Sequence, residues 1–433
     1  MNAQPHSNML LRPAMLGRFV LTLTALVVVA CSSPAGSPSS SGAPAAGGVT
    51  SPAPSLPAPS DAPSEAPPAQ PSVTPSAPAP TPTPAPAAWS KPRAIAGLEN
   101  CFSIFAAVDE GGRTHVVATC DSGTNEIRYA VSTDEKTWTV SRLRPPAGRL
   151  EEEPQLAFSG NTLYLAYTRI AIEEGGCGDD GLRDLGVYVR SRSLPAGAWS
   201  APTRIGNEGE HLLSFRVAGS TIHAAVATDA PGSAAYIAVS GGATRRVRLP
   251  DALGAVALRV GDDGTPRVAY EAKDGIAYGT IAGGRVRTDT ISGSDRGESP
   301  VFALGPGNDA YAVWTRSVAG GGCAEPGPDA LDGIYFSTNE HGSWQTVRLT
   351  TQVGPTSLTV DPSTSEVHVL VEGDGTLVWY HRSPGGKWAH ETLARKHAVQ
   401  SVIRQDPTSG RLVIVSIVDS PADDEFHVQV RTR

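Results

Sequence analysis

Four glutamates stand at positions where their carboxyl groups could act in acid–base chemistry or bind a polar ligand. Glu271 and Glu372 stand at the ends of strand-like segments, whereas Glu153 and Glu298 stand just before such segments. Paired carboxyl groups can act as general acid and general base in glycoside hydrolysis. A charge run in a loop, such as the one that ends at Glu153, is usually solvated surface. Both interpretations stay open, and the sequence assigns no catalytic residue.

Two arginines, Arg169 and Arg316, open matched insertions of 17 residues each. Each arginine follows an aromatic residue and a threonine, and each insertion contains Gly-Gly-Cys. Guanidinium groups bind carboxylates, sulfates and uronic acids through two parallel hydrogen bonds. The pair could therefore bind an acidic ligand from two sides, or each arginine could pair with an acid of its own insertion, such as Asp184 or Asp332.

The five cysteines favour an exported protein. Cys31 follows a short apolar run, which leaves four cysteines for two pairs. Cys101 and Cys120 are predicted at the same end of two adjacent antiparallel strands, so a disulfide between them is expected. Cys177 and Cys323, one in each insertion, either form a second disulfide or remain free thiols.

Other kinds of chemistry lack their motifs. The ten histidines show no metal-ligand spacing, and the sequence contains neither a Gly-x-Ser-x-Gly elbow nor a phosphate-binding loop. The turn at 178–181 is only a weak cation candidate. We therefore predict no cofactor and no metal. The net charge of −8 and the lack of a basic stripe exclude nucleic acid as a partner.

Residues 1–30 have the features of a signal peptide. Arg12 and Arg18 precede an uncharged run of 12 residues, from Phe19 to Ala30, which is too short to span a bilayer. The residues before Cys31 resemble the bacterial lipobox, which implies lipidation of that cysteine. We expect an extracytoplasmic protein, anchored by lipid to the bacterial cell membrane at the cell surface.

Residues 31–87 consist almost entirely of Pro, Ala, Ser, Gly and Thr. Such a composition buries too little apolar area to offset the conformational entropy of folding. The segment is therefore predicted to be a disordered linker, stiffened by proline, that holds the rest of the chain away from the membrane.

Residues 88–433 contain seven repeats of 40–60 residues. Each repeat begins with two alternating segments around a turn and continues with a segment that carries an aromatic residue. The first signal reads VDEGGRTHVVAT, FSGNTLYLAYT, VAGSTIHAAVA, VGDDGTPRVAY, LGPGNDAYAVWT, VDPSTSEVHVLV and QDPTSGRLVIVS. The pattern predicts an all-β, seven-bladed propeller of four-stranded antiparallel blades. In such a blade the 2–3 and 4–1 connections share one face, where the glutamates and arginines above would meet.

The last repeat ends without an outer strand, and the missing strand is found at the other end of the domain. The segment from Ala88 to Ile95 echoes the outer strand of the second repeat, from Ala198 to Ile205. The N-terminal strand is therefore predicted to complete the last blade and to close the ring, which removes free sheet edges. Trp89 should then be structurally important.

Two turns between third and fourth strands carry a family resemblance. The segments Ser132–Trp138 (STDEKTW) and Ser337–Trp344 (STNEHGSW) resemble the Asp-box of sialidase-type (BNR repeat) propellers. The resemblance implies a sialidase-like propeller, for which six blades are the alternative count. Active sialidases of this type also carry an arginine triad, a Tyr–Glu nucleophile pair, an Asp acid/base and an Arg-Ile-Pro motif. Arg93-Ala94-Ile95 differs from that motif.

The preferred function is therefore that of a binding or scaffold lipoprotein. It would present the propeller to a glycan, a cell-wall component or an envelope protein. The alternative is an exo-acting, sialidase-like glycoside hydrolase that acts on an acidic sugar.

Overall fold

The computed structural model describes residues 88–121, 125–172, 181–317, 330–373, 375–395, 398–420 and 425–433. In this part of the chain, strands form seven four-stranded antiparallel sheets, joined by turns and one 3-10 turn at Pro306–Asn308. The sheets are the blades of a seven-bladed propeller, which confirms the predicted fold class and the higher blade count. No helix of the described residues is long and apolar enough to cross a membrane.

The strands follow the repeats in order. The first strand of the domain is β1 (Arg93–Glu99). Blades 1 to 3 contain β2 (Cys101–Val108), β3 (Thr114–Cys120), β4 (Glu126–Ser132) and β5 (Thr139–Leu143); β6 (Arg149–Ser159), β7 (Thr162–Ile172), β8 (Leu182–Ser193) and β9 (Thr203–Arg204); and β10 (His211–Ala218), β11 (Thr221–Ala227), β12 (Ala235–Ser240) and β13 (Ala243–Arg248).

The remaining strands continue the same pattern. Blades 4 to 6 contain β14 (Ala252–Val260), β15 (Pro266–Ala272), β16 (Gly275–Ala282) and β17 (Arg285–Thr290); β18 (Gly297–Leu304), β19 (Ala310–Arg316), β20 (Gly333–Thr338) and β21 (Gln345–Thr350); and β22 (Thr356–Val360), β23 (Val367–Gly373), β24 (Thr376–Arg382) and β25 (Trp388–Arg395). Blade 7 contains β26 (Ala398–Gln405), β27 (Leu412–Ser420), β28 (Glu425–Thr432) and β1.

The ring closes through β1, as the sequence predicts. This strand pairs antiparallel with β28, with Arg93 opposite Val430. The backbone N–H of Ser90 donates to the carbonyl of Thr432 (2.9 Å). Trp89 packs edge-on against Trp379 of blade 6, with 5.3 Å between ring centroids. The N-terminal segment therefore joins the last blade and also contacts its neighbour.

Burial follows the position of each strand within its blade. Every residue of β3 and β23 is buried, because a second strand has a sheet neighbour on each side and a blade on each face. Outer strands such as β17 are mostly exposed and polar. Apolar clusters fill the spaces between neighbouring blades. The fully buried Trp314 keeps its indole N–H satisfied by donating to Ser337 Oγ (2.9 Å).

The two ends of the propeller differ in their connections. We call the end with the 2–3 and 4–1 connections the insertion face, and the end with the 1–2 and 3–4 turns the turn face. On the turn face, Asp134 Oδ1 accepts the backbone N–H groups of Lys136 and Thr137 (2.9 and 2.8 Å). These bonds lower the pKa of Asp134 and fix the hairpin, which is the structural role that the Asp-box resemblance implies.

The structure contains the disulfide predicted between Cys101 and Cys120. Cys101 in β2 lies directly opposite Cys120 in β3, and the two are bonded. Cys177 and Cys323 lie outside the described residues, and so do Cys31 and the weak cation candidate at 178–180.

Candidate functional site

Arg169 lies at the insertion-face end of β7 and is bound within its own blade. It faces Glu151 in the register of β6 and β7. Its Nη2 donates to Glu151 Oε1 (2.6 Å) and to the hydroxyl of Tyr167 (3.1 Å), and its guanidinium lies over the ring of Tyr188 (4.2 Å). The Glu151 side chain is fully buried. One of the two interpretations paired Arg169 with an acid of its own insertion, such as Asp184. The observed partner is Glu151 of β6, which lies outside that insertion, and Asp184 lies beside His211.

Arg316 occupies the matching position in blade 5. The residue opposite Arg316 in the neighbouring strand is Gly297, whereas the residue opposite Arg169 in blade 2 is Glu151. The carboxylate partner of Arg316 comes instead from the 4–1 connection, because Asp295 Oδ2 lies 3.1 Å from its Nη1. Both matched arginines therefore contact carboxylates of this chain.

Glu271 and Glu298 form a coupled pair of carboxyl groups between blades 4 and 5. The end of β15 packs against the start of β18, where the backbone N–H of Ser299 donates to Glu271. Ser299 has a φ of 48° in a bulge of β18, and this backbone turn aims its N–H. Gly254 leaves room for the carboxyl group, since a Cβ there would lie 2.9 Å from Glu271 Oε2.

The surroundings of this pair favour a bound proton. Burial, and then the charge of Glu298, raise the pKa of Glu271 to about 7. Burial also raises the pKa of Glu298, which accepts a hydrogen bond from Ser317 Oγ (3.4 Å). Near neutral pH the carboxyl group of Glu271 is therefore partly protonated and can act as a hydrogen-bond donor or acceptor.

Glu153 occupies in blade 2 the bulge position that Ser299 occupies in blade 5, and it also has a left-handed φ, of 54°. Its carboxylate accepts a hydrogen bond from Thr168 Oγ1 (3.0 Å). The residue is accessible to solvent, although neighbouring protein atoms remove part of the solvation of its carboxyl group. The loss of solvation raises its pKa, although the charge of His211 opposes the shift.

His211 lies beside Glu153 in a cluster that the sequence does not reveal. Donor atoms of His211, Asp184 and Asp229 lie within 4.8 Å of one another, contributed by β10, by β8 and by the connection after β11. Burial lowers the pKa of His211, but the surrounding carboxylates more than offset this and raise it. The raised pKa favours an imidazolium held by these carboxylates, whereas the neutral imidazole and the same carboxylates would form the donor set of a cation site.

Glu372 has the same position in blade 6 as Glu271 has in blade 4, but it is only 4% exposed. Neither of its carboxyl oxygens accepts a well-formed hydrogen bond from a described residue. The Ser401 hydroxyl lies close enough to lower the pKa of Glu372 slightly, but it donates to Ser416 Oγ (2.8 Å). Burial raises the pKa of Glu372 to about 7. Its role is therefore internal to the fold, and a ligand on the insertion face does not reach it.

Three of the acids predicted for this face stay accessible to solvent, namely Glu153, Glu271 and Glu298, and we call them the carboxylate mouth. Carboxyl groups in this arrangement accept hydrogen bonds from hydroxyl groups and pair with ammonium groups. The protonated member of the Glu271 and Glu298 pair can also donate. The mouth is suited to neutral or amine-bearing ligands, and it repels anions.

Comparison with known proteins identifies the fold alone. No protein-family model matches the sequence, and no curated protein matches it. Among solved structures, an ulvan lyase of polysaccharide lyase family 25 is similar, with a TM-score of 0.53 at 11% identity over 76% of this chain and 93% of its own. A Dyadobacter fermentans protein of unknown function gives a TM-score of 0.48 at 12% identity, covering 79% and 98%. The sialidase of Trypanosoma rangeli gives 0.46 at 9% identity, covering 77% and 55%. The chain is thus a seven-bladed propeller whose structural neighbours include polysaccharide lyase and sialidase propellers.

Proposed function

We propose that this chain is a lipid-anchored extracytoplasmic protein whose propeller binds a glycan or cell-wall component at the carboxylate mouth. The supporting observation is the distribution of charge on the insertion face. Arg169 and Arg316 contact carboxylates of this chain, while Glu153, Glu271 and Glu298 stay accessible to solvent on the same face.

This distribution narrows the class of ligand. An acidic sugar would have to displace Glu151 or Asp295 from an arginine and would also meet the charges of the mouth. A neutral polyhydroxy ligand or an amino sugar meets acceptors that already suit it. We therefore propose a neutral or amine-bearing glycan rather than an acidic one.

The binding proposal is tested with the purified full-length chain on a set of immobilised glycans. The set contains oligomers of glucosamine, of N-acetylglucosamine and of a uronic acid, together with isolated cell-wall fragments. We expect binding to glucosamine or N-acetylglucosamine oligomers, weakened by Glu271→Gln and unchanged by Glu110→Gln, which alters an exposed acid on the turn face. Preferential binding of the uronic acid oligomer would contradict the proposal.

The second candidate is an exo-acting glycoside hydrolase, which the coupled Glu271 and Glu298 pair supports. A carboxyl group with a pKa of about 7 beside a second carboxyl group is suited to general acid catalysis. The test is turnover of fluorogenic glycosides, sialosides included. Hydrolysis that is lost in Glu271→Gln and kept in Glu110→Gln would replace the binding function with this one.

The membrane anchor is tested separately through Cys31. A Cys31→Ser variant should move from the membrane fraction to the soluble fraction and lose incorporation of labelled fatty acid. Retention in the membrane would contradict lipid anchoring without affecting the proposal for the carboxylate mouth.

A further inference from the structure

The turn-face end of the central channel differs in charge from the carboxylate mouth. It forms a cavity of about 410 Å³, within the usual range for small-molecule sites. Arg216, Arg259 and Arg404 line this cavity together with Phe105 and Phe158. Although the chain has a net charge of −8, three arginine side chains line this one cavity.

The three arginines share one structural position. Each lies on the innermost strand of its blade, opposite the second or third residue of the second strand, in the pairs Arg216–His223, Arg259–Arg267 and Arg404–Val413. The same position in the other four blades has a small residue. The seven residues, in blade order, are Ala107, Ala157, Arg216, Arg259, Ala303, Thr359 and Arg404. All seven line the cavity, so four short side chains leave space for three long ones.

The guanidinium groups are held in place by backbone carbonyls. Arg259 Nη1 donates to the carbonyl of Leu258 (2.8 Å), and Arg216 Nη1 donates to that of Phe215. Arg404 donates to the carbonyls of Ala106 and Ile403 (2.7 Å each). A guanidinium has five N–H donors, so most donors of each group stay available for a ligand.

No described carboxylate forms an ion pair with any of the three arginines. Asp262 also lines the cavity, and its backbone N–H donates to Asn308 Oδ1 (3.0 Å). Burial lowers the pKa of Arg404 to about 10, and burial together with the charge of Arg404 lowers that of Arg216 to about 9. Both groups remain charged at neutral pH, and the fold keeps two desolvated cations close to each other without a counterion.

We propose that this cavity, the arginine mouth, binds a tetrahedral oxyanion carried by a small molecule, as in a phosphate monoester or a sulfate ester. A phosphate monoester carries up to two negative charges and a sulfate ester carries one, and the three terminal oxygens of either group can accept hydrogen bonds from several guanidinium groups at once. Phe105 and Phe158 in the same cavity provide an apolar surface for the group that carries the anion. The inference does not depend on the function of the carboxylate mouth at the other end of the channel.

The test measures binding of inorganic phosphate, sulfate, phenyl phosphate and phenyl sulfate to the purified full-length chain by calorimetry at low salt. We expect 1:1 binding that weakens as sodium chloride is added and is tighter for the phenyl compounds. The ratio between phenyl phosphate and phenyl sulfate distinguishes the two ester classes.

Two variants and a matched control locate the site. Arg216→Gln and Arg259→Gln should each weaken binding by about 10- to 100-fold, the loss expected for charge-assisted hydrogen bonds. Arg285→Gln, the same change on the exposed outer strand of blade 4, should have no effect. Arg404 is not used, because it also holds the backbone of blade 1.

The melting temperature of the ligand-free protein separates a binding role from a structural one. Arg216→Gln should raise it at low salt, because the substitution removes one of two cations that repel each other. The proposal is overturned if the folded wild-type chain binds none of the four anions at millimolar concentration. Unchanged affinity in both arginine variants, or a lower melting temperature with unchanged affinity, would also overturn it.

Discussion

The buried carboxyl group of Glu372 gives a pH-dependent stability that can be worked out from the structure. Its pKa is raised from 4.5 to about 7 because the folded protein removes the carboxyl group from water, and the nearby Ser401 hydroxyl offsets only part of this loss of solvation. Between these two values the folded state binds more protons than the unfolded state. The protonated Glu372 therefore makes its full contribution to the free energy of unfolding below pH 4.5, and this contribution is lost as the pH rises through about 7.

The perturbation is Glu372→Gln, which keeps the shape and cannot ionise. At about 1.4 kcal/mol per pKa unit, the substitution should stabilise the protein by up to about 3 kcal/mol above pH 8 and by almost nothing near pH 4.5. An unfolding entropy of ~2.1 cal/mol/K per residue over roughly 345 residues gives about 0.7 kcal/mol/K. The melting temperature should thus rise by roughly 4 °C at pH 8.5.

The assay is scanning calorimetry of the wild type, Glu372→Gln and the exposed control Glu110→Gln from pH 4.5 to 8.5. The difference between wild type and Glu372→Gln should grow with pH, whereas Glu110→Gln should follow the wild type. A melting temperature that falls at pH 8.5 in Glu372→Gln would show that the carboxylate has a partner, and the reasoning would be refuted.

Three further substitutions test the fold and the predicted site. Trp89→Ala should lower the free energy of unfolding by about 3 kcal/mol, since it removes the ring that packs on blade 6. Limited proteolysis of this variant should then release the N-terminal strand. A protease pattern like that of the wild type would argue against closure through β1. Arg169→Ala should lower the free energy of unfolding, measured by urea titration, by about 3–5 kcal/mol. The substitution leaves the buried Glu151 with only a weaker contact to Arg190 (3.6 Å). A wild-type urea midpoint together with lost ligand affinity would instead make Arg169 a ligand-binding residue. Cys120→Ser should lower the free energy of unfolding by about 3 kcal/mol, as expected for a disulfide between cysteines 19 residues apart. The wild type in reducing agent should show the same free energy of unfolding as this variant.

The architecture was predictable because each blade repeats its own local signals. The alternation and turn residues of seven segments indicated seven pairs of inner strands, and the echo between the segments that begin at Ala88 and Ala198 located the closing strand. Both features depend on short-range pattern, which the sequence displays directly. The disulfide between Cys101 and Cys120 followed from the same strand order.

The partners of the predicted site residues were harder to predict, because they depend on register and on neighbouring blades. The sequence placed Arg169 and Arg316 at equivalent positions, but only the pairing of β6 with β7 puts Glu151 opposite Arg169. The contact between Glu271 and the backbone after Glu298 joins two blades. A bulge shifts the register there, and such bulges have no strong sequence signal.

The arginine mouth was missed, although a signal for it exists. Arg216, Arg259 and Arg404 each follow a buried apolar residue near the end of an inner strand, in the segments FRVAG, LRVGD and IRQDP. An alignment of the seven repeats on the turn between the first and second strands would have placed these three arginines at the same level along the channel axis. Sequence reasoning concentrated on the insertion face because the long insertions are there.

The central claim is that the carboxylate mouth holds a neutral or amine-bearing glycan without hydrolysing it. The most direct measurement is the calorimetric affinity of the full-length chain for glucosamine and N-acetylglucosamine oligomers, with chromatographic recovery of the oligomer afterwards. We predict binding that Glu271→Gln and Glu298→Gln weaken, that Glu110→Gln leaves unchanged, and after which the oligomer is intact. Shortened oligomers, or affinity that is equal in all three variants, would contradict the account.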